Sequence, residues 1–242
     1  MKDTILMYHD VYKTSEKESG FQTDGANHYK ITETTFEQQI QRINSLPVTL
    51  TFDDGGISFY SIIAPILEKH HLKGHFYIAT NYIGAEGFMD ENHIKDLHQR
   101  GHVIGSHSYS HPSDFRAVSF EIRKKEWEDS VRKLSEIIGE PVKEVSIPNG
   151  FLQDDDLKIF ERLGITTIYT SKIGEDRLFN EIQIQGRVGI DKNMTVKELL
   201  SIIDRKHTYY QLLLKQKILE LVKSILGDNY VRIKRKIRKQ LK

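Results

Sequence analysis

The feature that most constrains the fold of this chain is the alternation of short strand-type runs with helical segments of about 10 to 20 residues. The runs are rich in β-branched and aromatic residues, and the segments between them carry apolar residues at helical spacing. The predicted strands are Thr4–Tyr8, Val48–Phe52, His75–Ala79, His102–Ser106, Val142–Ile147, Ile165–Thr170 and Ile182–Ile190, the last with bends suggested by Gly186 and Gly189. This pattern favours parallel βαβ units, so we predict an α/β fold of the distorted or incomplete (β/α) barrel type. In such barrels the chemistry lies at the carboxyl ends of the strands.

Length and composition narrow the organisation of the chain further. Its 242 residues fit one barrel-sized domain, predicted for residues 1–207, followed by a helical, basic extension at residues 208–242. The chain has no cysteine, so a metal ion would have to be held by His and carboxylate side chains. The apolar run at the N-terminus is too short for a signal peptide, and no stretch reaches the roughly 18 apolar residues of a membrane span. We therefore expect a cytoplasmic location.

The positive charge is concentrated at one end of the chain. The formal net charge is +1, but residues 230–242 carry seven Lys or Arg and no acid, which leaves the rest of the chain net negative. Ile233, Ile237 and Leu241 recur every four residues in this stretch, a pattern typical of a helix that lies peripherally on an anionic membrane surface. A solvated basic end that improves solubility is an alternative. Nucleic-acid binding is disfavoured, because the chain shows no recognisable motif beyond charge.

Two adjacent carboxylates follow the predicted strand Val48–Phe52. Asp53 and Asp54 come directly after it and are followed by Gly55 and Gly56, which permit a tight turn. Successive side chains of an extended chain point to opposite faces, so the two carboxylates can take separate roles. A purely structural polar turn after a strand is the alternative interpretation.

Two histidines follow another predicted strand, His102–Ser106. His107 comes directly after it and His111 four residues later, so in a helical turn both imidazoles would lie on one face. Since parallel strands end at the same rim, we expect these histidines near Asp53 and Asp54. Two imidazoles and one carboxylate form an open three-ligand set for zinc or a similar divalent ion, with a position left for water. The second carboxylate could then act as a base.

A family resemblance supports this interpretation. The stretches Thr51-Phe52-Asp53-Asp54-Gly55 and His107-Ser108-Tyr109-Ser110-His111-Pro112, the latter preceded by Gly101-His102-Val103-Ile104-Gly105, resemble the first two motifs of the polysaccharide deacetylases, the NodB-like carbohydrate esterases of family four. The resemblance runs from about Leu6 to Tyr169. It implies a distorted (β/α) barrel and metal-dependent removal of N-acetyl groups from amino sugars.

The resemblance also assigns roles to individual residues. By this correspondence Asp54, His107 and His111 match the metal ligands, and Asp53 matches the general base. The expected cofactor is one divalent metal ion, with Zn²⁺ favoured.

The chain departs from the family pattern at the third motif. The family usually has an Arg four residues before the motif's Gly, and here that position is Ser146. Arg187, on the strand-type run Ile182–Ile190, is a candidate to replace the missing cation beside Asp53, and a surface Arg is the alternative. Pro148, Asn149 and Gly150 fit the motif's turn and are the predicted substrate-binding residues.

Two further features concern the reaction at this turn and at the first strand. A backbone N–H near Asn149 could stabilise an oxyanion, and a simple turn is the alternative. The Leu-x-His sequence that supplies the family's general acid is absent near the end of the barrel. His9, after the predicted strand Thr4–Tyr8, is the candidate replacement, and its alternative is a histidine packed under the N-terminal loop. His207 is a weaker candidate.

Taken together, these features predict a metal-dependent carbohydrate de-N-acetylase. The expected substrate is an N-acylated amino sugar, either soluble or lipid-linked, in surface-polysaccharide assembly. A deformylase of a lipid-linked formamido sugar is one alternative, because the same attack by water serves either acyl group. A catalytically silent sugar-binding homologue is another, although the presence of Asp53 counts against it.

Overall fold

The computed structural model describes residues 3–226 of the chain. Within them the strands are β1 (Thr4–Tyr8), β2 (Val11–Tyr12), β3 (Ile31–Thr32), β4 (Val48–Phe52), β5 (His75–Ile78), β6 (Val103–Ser106), β7 (Glu144–Ser146), β8 (Thr167–Thr170), β9 (Asp176–Phe179), β10 (Ile182–Gly186) and β11 (Val188–Gly189). The helices are α1 (Asp24–Asn27), α2 (Glu33–Ile43), α3 (Ala64–Lys69), α4 (Glu91–Gln99), α5 (Phe120–Ile138), α6 (Leu157–Arg162), α7 (Val196–Ile203) and α8 (His207–Leu226).

Nine of these strands form one sheet in the order β11-β1-β4-β5-β6-β7-β8-β10-β9. All neighbours are parallel except β9 and β10, and β2 and β3 form a separate parallel pair. Strands β10 and β11 are separated by Arg187 alone, yet β10 pairs with β8 and β11 pairs with β1, near opposite ends of the strand order. The sheet therefore has to curl, and the predicted α/β incomplete barrel is confirmed.

The strand-type run predicted at Ile182–Ile190 is divided into two strands, and the first ends at Gly186, one of the two glycines where the sequence suggests a bend. The chain stops pairing with β8 at Gly186 and begins pairing with β1 at Val188. At the crossing point the amide of Arg187 donates to the carbonyl of Thr170 at 3.1 Å. A run of extended residues reveals local conformation but not which neighbour it pairs with, so the change of pairing partner could not be read from propensity.

The helices bury their apolar faces in one core with the sheet. Phe52 of β4 and Phe76 of β5 have ring centroids 5.2 Å apart, and Phe59 stacks on Phe76 at the same distance. In the same core, the ring centroid of Trp127 of α5 lies 4.9 Å from that of Phe160 of α6. Because these large side chains are nearly inaccessible to water, they fix the strands whose ends carry the polar residues described below.

Helical spacing and capping residues predict helices from Asp90 to Gln99 and from Ser119 to Gly139, and α4 and α5 agree with these bounds to within one residue. The helix α5 ends at Gly139, whose φ of +80° is the left-handed conformation that glycine adopts readily. The apolar spacing of residues 58–71 predicts one helix kinked at Pro65, whereas the structure has a π-helical turn at Phe59–Ile63 followed by α3. Pro65 lies in the first turn of α3, where its missing amide hydrogen is tolerated.

The C-terminal part of the described chain is the helix α8, which packs on the barrel through Tyr209 and Leu212. The division into residues 1–207 and 208–242 stays a prediction, and the basic stretch 230–242 lies outside the described residues. No helix among residues 3–226 has the length and apolarity needed to cross a membrane.

Candidate active site

The two carboxylates after β4 are buried at the carboxyl rim of the sheet. Asp53 is 2 % exposed and Asp54 is 5 % exposed. Asp54 has a φ of +93°, a conformation that costs a non-glycine residue about 1–3 kcal/mol and persists only where the surroundings hold it. Gly55 follows with a φ of +92°, and a Cβ there would lie 3.0 Å from a side-chain carbon of Ile78. This turn gives the two carboxylates different partners.

Asp54 faces both histidines of the second motif. Its Oδ1 lies 3.5 Å from Nε2 of His107 and 3.5 Å from Nε2 of His111. One ligand atom from each of the three residues lies within 4.8 Å of the others, and within residues 3–226 no other His and carboxylate residues gather in this way. Zinc binds such ligands at about 2.0–2.2 Å, which places neighbouring tetrahedral ligands roughly 3.4 Å apart. The donor set and its spacing fit one divalent metal ion.

Hydrogen bonding and burial prepare these imidazoles to act as ligands. The Nδ1 of His107 lies 2.9 Å from the carbonyl of Ser146, which can only accept, so Nδ1 carries the proton and Nε2 presents its lone pair. Burial, reinforced by the neighbouring His107, lowers the pKa of His111 to about 4, so this ring is neutral at neutral pH. Burial also opposes charge on His107, but Asp53 and Asp54 outweigh that effect and raise its pKa. These two carboxylates thus favour a positive charge at Nε2, which a bound metal ion would supply in place of a proton.

The segment that carries both histidines is not the helical turn that the sequence suggested. Ser108 and His111 have φ values of +66° and +53°, and the segment is irregular. The ring centroids of His107 and His111 are nevertheless 4.9 Å apart. Glu126 of α5 holds the segment by accepting hydrogen bonds from the amide and hydroxyl of Ser110, at 2.7 and 2.6 Å. A carboxylate from a neighbouring helix thus replaces the regular helical hydrogen bonds.

Arg187 pairs with Asp53 inside the barrel. Its Nη1 donates to Oδ1 of Asp53 at 2.7 Å and its Nη2 to Oδ2 at 2.6 Å, a bidentate geometry. The guanidinium is 1 % exposed and also donates to Thr51 Oγ1 and to the carbonyl of Thr170. Burial alone would raise the pKa of Asp53, but Arg187 outweighs it and holds the pKa well below its usual range. Asp53 is therefore a carboxylate at neutral pH.

Ser146 forms hydrogen bonds with both members of the Asp53–Arg187 pair. Its hydroxyl donates to Oδ2 of Asp53 at 2.9 Å and accepts from Nη2 of Arg187 at 2.7 Å. The same residue accepts the Nδ1 proton of His107 through its backbone carbonyl. Ser146 thus connects the candidate base to a candidate metal ligand.

His9 follows β1 and lies at the same rim. Its ring stacks on Tyr29 with centroids 5.0 Å apart and an interplanar angle of 28°. Its Nδ1 is buried and, within residues 3–226, makes no hydrogen bond. Both sequence interpretations therefore describe part of its position, since it packs under the N-terminal loop (residues 13–30) and also lines the cavity that contains Asp53 and Asp54.

The predicted substrate-binding turn is only partly in contact with this cavity. Asn149 and Gly150 line it, whereas Pro148 is buried behind them. Asn149 has a φ of +56°, and the amide of Gly150 is already engaged with the carbonyl of Ile147 at 2.9 Å. A Cβ at Gly150 would lie 2.1 Å from the hydroxyl of Ser171, so only glycine fits there.

The cavity has a volume of about 550 Å³ and opens at the carboxyl rim. Its floor carries the candidate base and metal ligands, and one wall comes from the N-terminal loop. The residues that line it are Met7, His9, Phe21, Thr23, Gly25, Ala26, Tyr29, Asp53, Asp54, His107, His111, Ser113, Ile147, Asn149, Gly150 and Ser171. This volume lies in the range of small-molecule sites and leaves room for a sugar ring.

Sequence reasoning missed the aromatic wall of this cavity. The ring of Phe21 lies 5.2 Å from that of His111 and 5.1 Å from that of Phe88. Phe21 and Tyr29 are isolated aromatic residues in a segment whose composition indicates a loop. An aromatic residue in such a segment is the only sequence feature that could have marked them as cavity residues. His207 is exposed at the start of α8 and does not line the cavity.

A buried carboxylate that the sequence did not single out fastens the N-terminal loop. Asp10 Oδ1 accepts hydrogen bonds from Ser19 Oγ at 2.5 Å and from Ser58 Oγ at 2.8 Å. Glycines approach it from both sides, because a Cβ on Gly20 or Gly56 would lie within 2 Å of a carboxylate oxygen. Asp10 therefore joins the N-terminal loop to the segment that follows Asp54.

Comparison with known proteins places this site in a family. Residues 41–168, about half of the chain, match the polysaccharide deacetylase family. The chain belongs to the polysaccharide deacetylase family. The solved deacetylase PplD of Streptococcus pyogenes, in complex with acetate, is 26 % identical with a TM-score of 0.70, and the match covers 84 % of this chain and 98 % of that one.

Curated members of the deacetylase family show the same relationship over shorter segments. The peptidoglycan-N-acetylglucosamine deacetylase of Bacillus cereus is 31 % identical over 48 % of this chain and 40 % of its own length. The poly-β-1,6-N-acetyl-D-glucosamine N-deacetylase of Staphylococcus epidermidis is 24 % identical over 51 % of this chain and 47 % of its own length. The chain spans about half the length of the curated relatives it matches.

This family member accommodates serine at position 146 through the space that the short side chain leaves and through hydrogen bonding. A serine at the end of β7 is short enough for the guanidinium of Arg187 to approach Asp53 from the opposite edge of the sheet. The cation expected from β7 is thus supplied by the residue between β10 and β11.

Proposed function

We propose that this chain is a metal-dependent carbohydrate de-N-acetylase, in which Asp54, His107 and His111 hold one divalent ion, with Zn²⁺ favoured. The observation that carries the proposal is the arrangement of Asp53. Its carboxylate is fixed by Arg187 and lies 4.0 Å from Nε2 of His107, so a charged base adjoins a three-ligand set that has room for substrate. When bound, the ion would polarise the amide carbonyl and acidify water.

The side chains of the chain would divide the proton transfers of amide hydrolysis. A water molecule between Asp53 and the acetamide carbon loses a proton to the Asp53 carboxylate as its oxygen forms the new C–O bond. The C–N bond then breaks, and the nitrogen takes a proton from the imidazolium of His9. The products are acetate and a free amino sugar. The amide of Asn149 is the proposed donor to the developing oxyanion, since that of Gly150 is already used.

The fixed hydrogen bonds of Asp53 suit this role. Arg187 and Ser146 together donate three hydrogen bonds to its two oxygens, so the carboxylate cannot rotate away from the metal ligands. Thr51 and the carbonyl of Thr170 hold the guanidinium in turn. Such preorganisation lowers the reorganisation needed when the proton moves.

The proposed substrate is an N-acetylated amino sugar, either a lipid-linked or soluble intermediate of surface-polysaccharide synthesis. The size of the cavity and its aromatic wall of Phe21 and Tyr29 suit one sugar ring stacked against a side chain. Some relatives are named for polymeric substrates, peptidoglycan and poly-N-acetylglucosamine, so polymers belong in the same test.

The test is a metal analysis of the purified protein combined with measurement of acetate release. Candidate substrates are N-acetylated sugar nucleotides, lipid-linked N-acetyl sugars, chitin oligomers and peptidoglycan fragments, with the matching N-formyl sugars to detect formate. The proposal expects about one divalent ion per chain and acetate release that a chelator abolishes and added Zn²⁺ restores. Acetate release that persists in metal-free protein would overturn the proposed metal dependence.

A further inference from the structure

Helix α8 is apolar on two opposite faces. One face packs on the barrel through Tyr209 and Leu212, and the Oε1 of Gln216 accepts a hydrogen bond from the amide of Ile173 at 2.8 Å. The other face points to solvent and carries the apolar residues Tyr210, Leu214, Ile218, Leu221 and Val222. Spacings of three and four residues place these side chains on one stripe, which we call the outer stripe.

The outer stripe differs from the rest of the described surface. Of the nine large hydrophobic side chains that are exposed among residues 3–226, six belong to α8. The other three, Tyr109, Ile122 and Leu178, are far apart in sequence and lie on a loop, a helix and a strand. Single exposed apolar residues are ordinary on proteins, whereas a contiguous stripe marks an interaction surface.

The charge of the same segment identifies the partner. Residues 205–242 contain twelve Lys or Arg and two acidic residues, although Lys and Arg exceed Asp and Glu by only one in the whole chain. Lys215 and Lys217 belong to α8 itself, and the chain continues beyond it into the stretch with seven cations. An apolar stripe flanked by cations complements a surface that is anionic outside and apolar beneath, which is a membrane containing acidic lipids.

The position of α8 relates this surface to the active site. Gln216 holds the amide of Ile173, and Ser171, two residues earlier, lines the active-site cavity. The loop between these contacts follows β8 at the carboxyl rim. A membrane that contacts the outer stripe would therefore lie against an element that packs directly on the wall of the cavity.

We propose that α8 docks this enzyme on anionic membranes, with the outer stripe in the interface and the basic residues on the lipid headgroups. The proposal extends the proposed function by placing the deacetylation of lipid-linked or membrane-adjacent glycans at the bilayer surface. This statement about the substrate rests on the proposed function, whereas the docking itself does not. An amphipathic helix held in the interface by apolar side chains and flanking cations gives docking that high salt weakens.

The test uses the full chain and vesicles of phosphatidylcholine with or without about one third phosphatidylglycerol. The test variant is Leu214→Gln with Ile218→Gln, two exposed residues whose replacement leaves the core untouched. The matched control is Ile122→Gln with Leu178→Gln, equally exposed but outside α8. Circular dichroism and acetate release from a small soluble substrate check that each variant is folded and active.

Wild type and the control pair should sediment with the anionic vesicles and be released by salt at about 1 M. The α8 pair should bind at least about tenfold less, since two large apolar side chains no longer enter the interface. Equal binding of the α8 pair and wild type would overturn the proposal, as would wild-type binding to neither vesicle. A wild-type dimer that the α8 pair converts to monomer, without vesicle binding, would assign the stripe to self-association instead. If acetate release fails while the vesicle pattern holds, the proposed function falls and the docking surface stands.

Discussion

The two sides of the active site hold their side chains in different ways. At the strand rim, Asp53, Arg187 and Ser146 are almost inaccessible to water. They lie at the ends of different strands, and each makes more than one hydrogen bond to the other two. On the N-terminal loop, Phe21 and Tyr29 line the cavity, and their rings pack against those of His111 and His9.

This difference indicates that the strand rim serves the reaction chemistry and the N-terminal loop serves substrate binding. Reaction geometry needs atoms fixed to within a fraction of an ångström, which saturated hydrogen bonds on rigid strands provide. Sugar recognition tolerates adjustment. The loop is attached to the barrel at Asp10 and by the backbone hydrogen bonds from Gly20 to Gly87 and from Lys192 to His28, and none of these attachments involves the base. Changes at the rim should therefore reduce turnover, whereas changes at the fastening of the loop should mainly weaken substrate binding.

The largest effect is expected for Asp53→Asn. The substitution preserves shape but removes the base, so kcat for acetate release should fall by about 10³-fold or more, within the range for general base catalysis. Metal content measured by mass spectrometry should match wild type. Asp54→Ala is the paired variant and should lose both metal and activity. Near wild-type acetate release by Asp53→Asn would refute the base assignment.

The second largest loss of activity is expected when Arg187 is removed. Arg187→Ser leaves the Asp53 carboxylate buried without its cation, which costs about 3–5 kcal/mol of stability and about 10²–10³ in kcat. The informative variant adds Ser146→Arg, which supplies the cation from β7, where the family pattern expects it. Acetate release should recover at least about tenfold relative to Arg187→Ser alone, and urea unfolding should show regained stability.

Arg187→Lys serves as the control for this rescue, because a lysine keeps the charge but cannot form both hydrogen bonds of the bidentate pair. It should recover less activity than the double variant. No recovery in the double variant, although it is folded, would mean that position 146 cannot direct a cation to Asp53.

The rim residues could be anticipated from sequence because their position depends on local rules. Asp53, Asp54 and His107 each follow a strand whose composition is clear, and parallel strands end at one rim. His111 was expected for the wrong local reason, since its backbone is left-handed rather than helical and Glu126 shapes the segment. Chemistry-bearing residues at strand ends are visible without knowledge of the tertiary contacts that orient them.

The loop side depends on contacts between distant segments, which a single sequence does not encode locally. No sequence pattern distinguishes Asp10, and its role arises only when Ser19 and Ser58 come together around it. The break between β10 and β11 has the same origin, because the chain there changes its pairing partner without changing its extended conformation. Register and pairing are tertiary properties.

His9 lies between the two sides, since it follows β1 at the rim and stacks on Tyr29 of the loop. His9→Ala should lower kcat for an N-acetyl sugar by about 10²-fold if it protonates the leaving nitrogen. Hydrolysis of 4-nitrophenyl acetate should change much less, because that leaving group needs no proton. His207→Ala is the exposed control. A loss of equal size on both substrates would indicate a packing role for His9 instead.

The smallest effect is expected where the N-terminal loop is fastened. Ser19→Ala removes one of the hydroxyls that hold Asp10, leaving a buried carboxylate under-satisfied, which should cost about 1–3 kcal/mol in urea unfolding. Because the loop forms a wall of the cavity but contributes no group to the proton transfers, KM should rise several-fold while kcat changes less than twofold. Thr14→Ala is the matched control, since its hydroxyl bonds Glu18 at the exposed surface of the same loop. It should leave both constants unchanged. A fall in kcat for Ser19→Ala comparable to that of His9→Ala, with KM unchanged, would show that the loop and the rim act as one rigid unit and that the division between them is wrong.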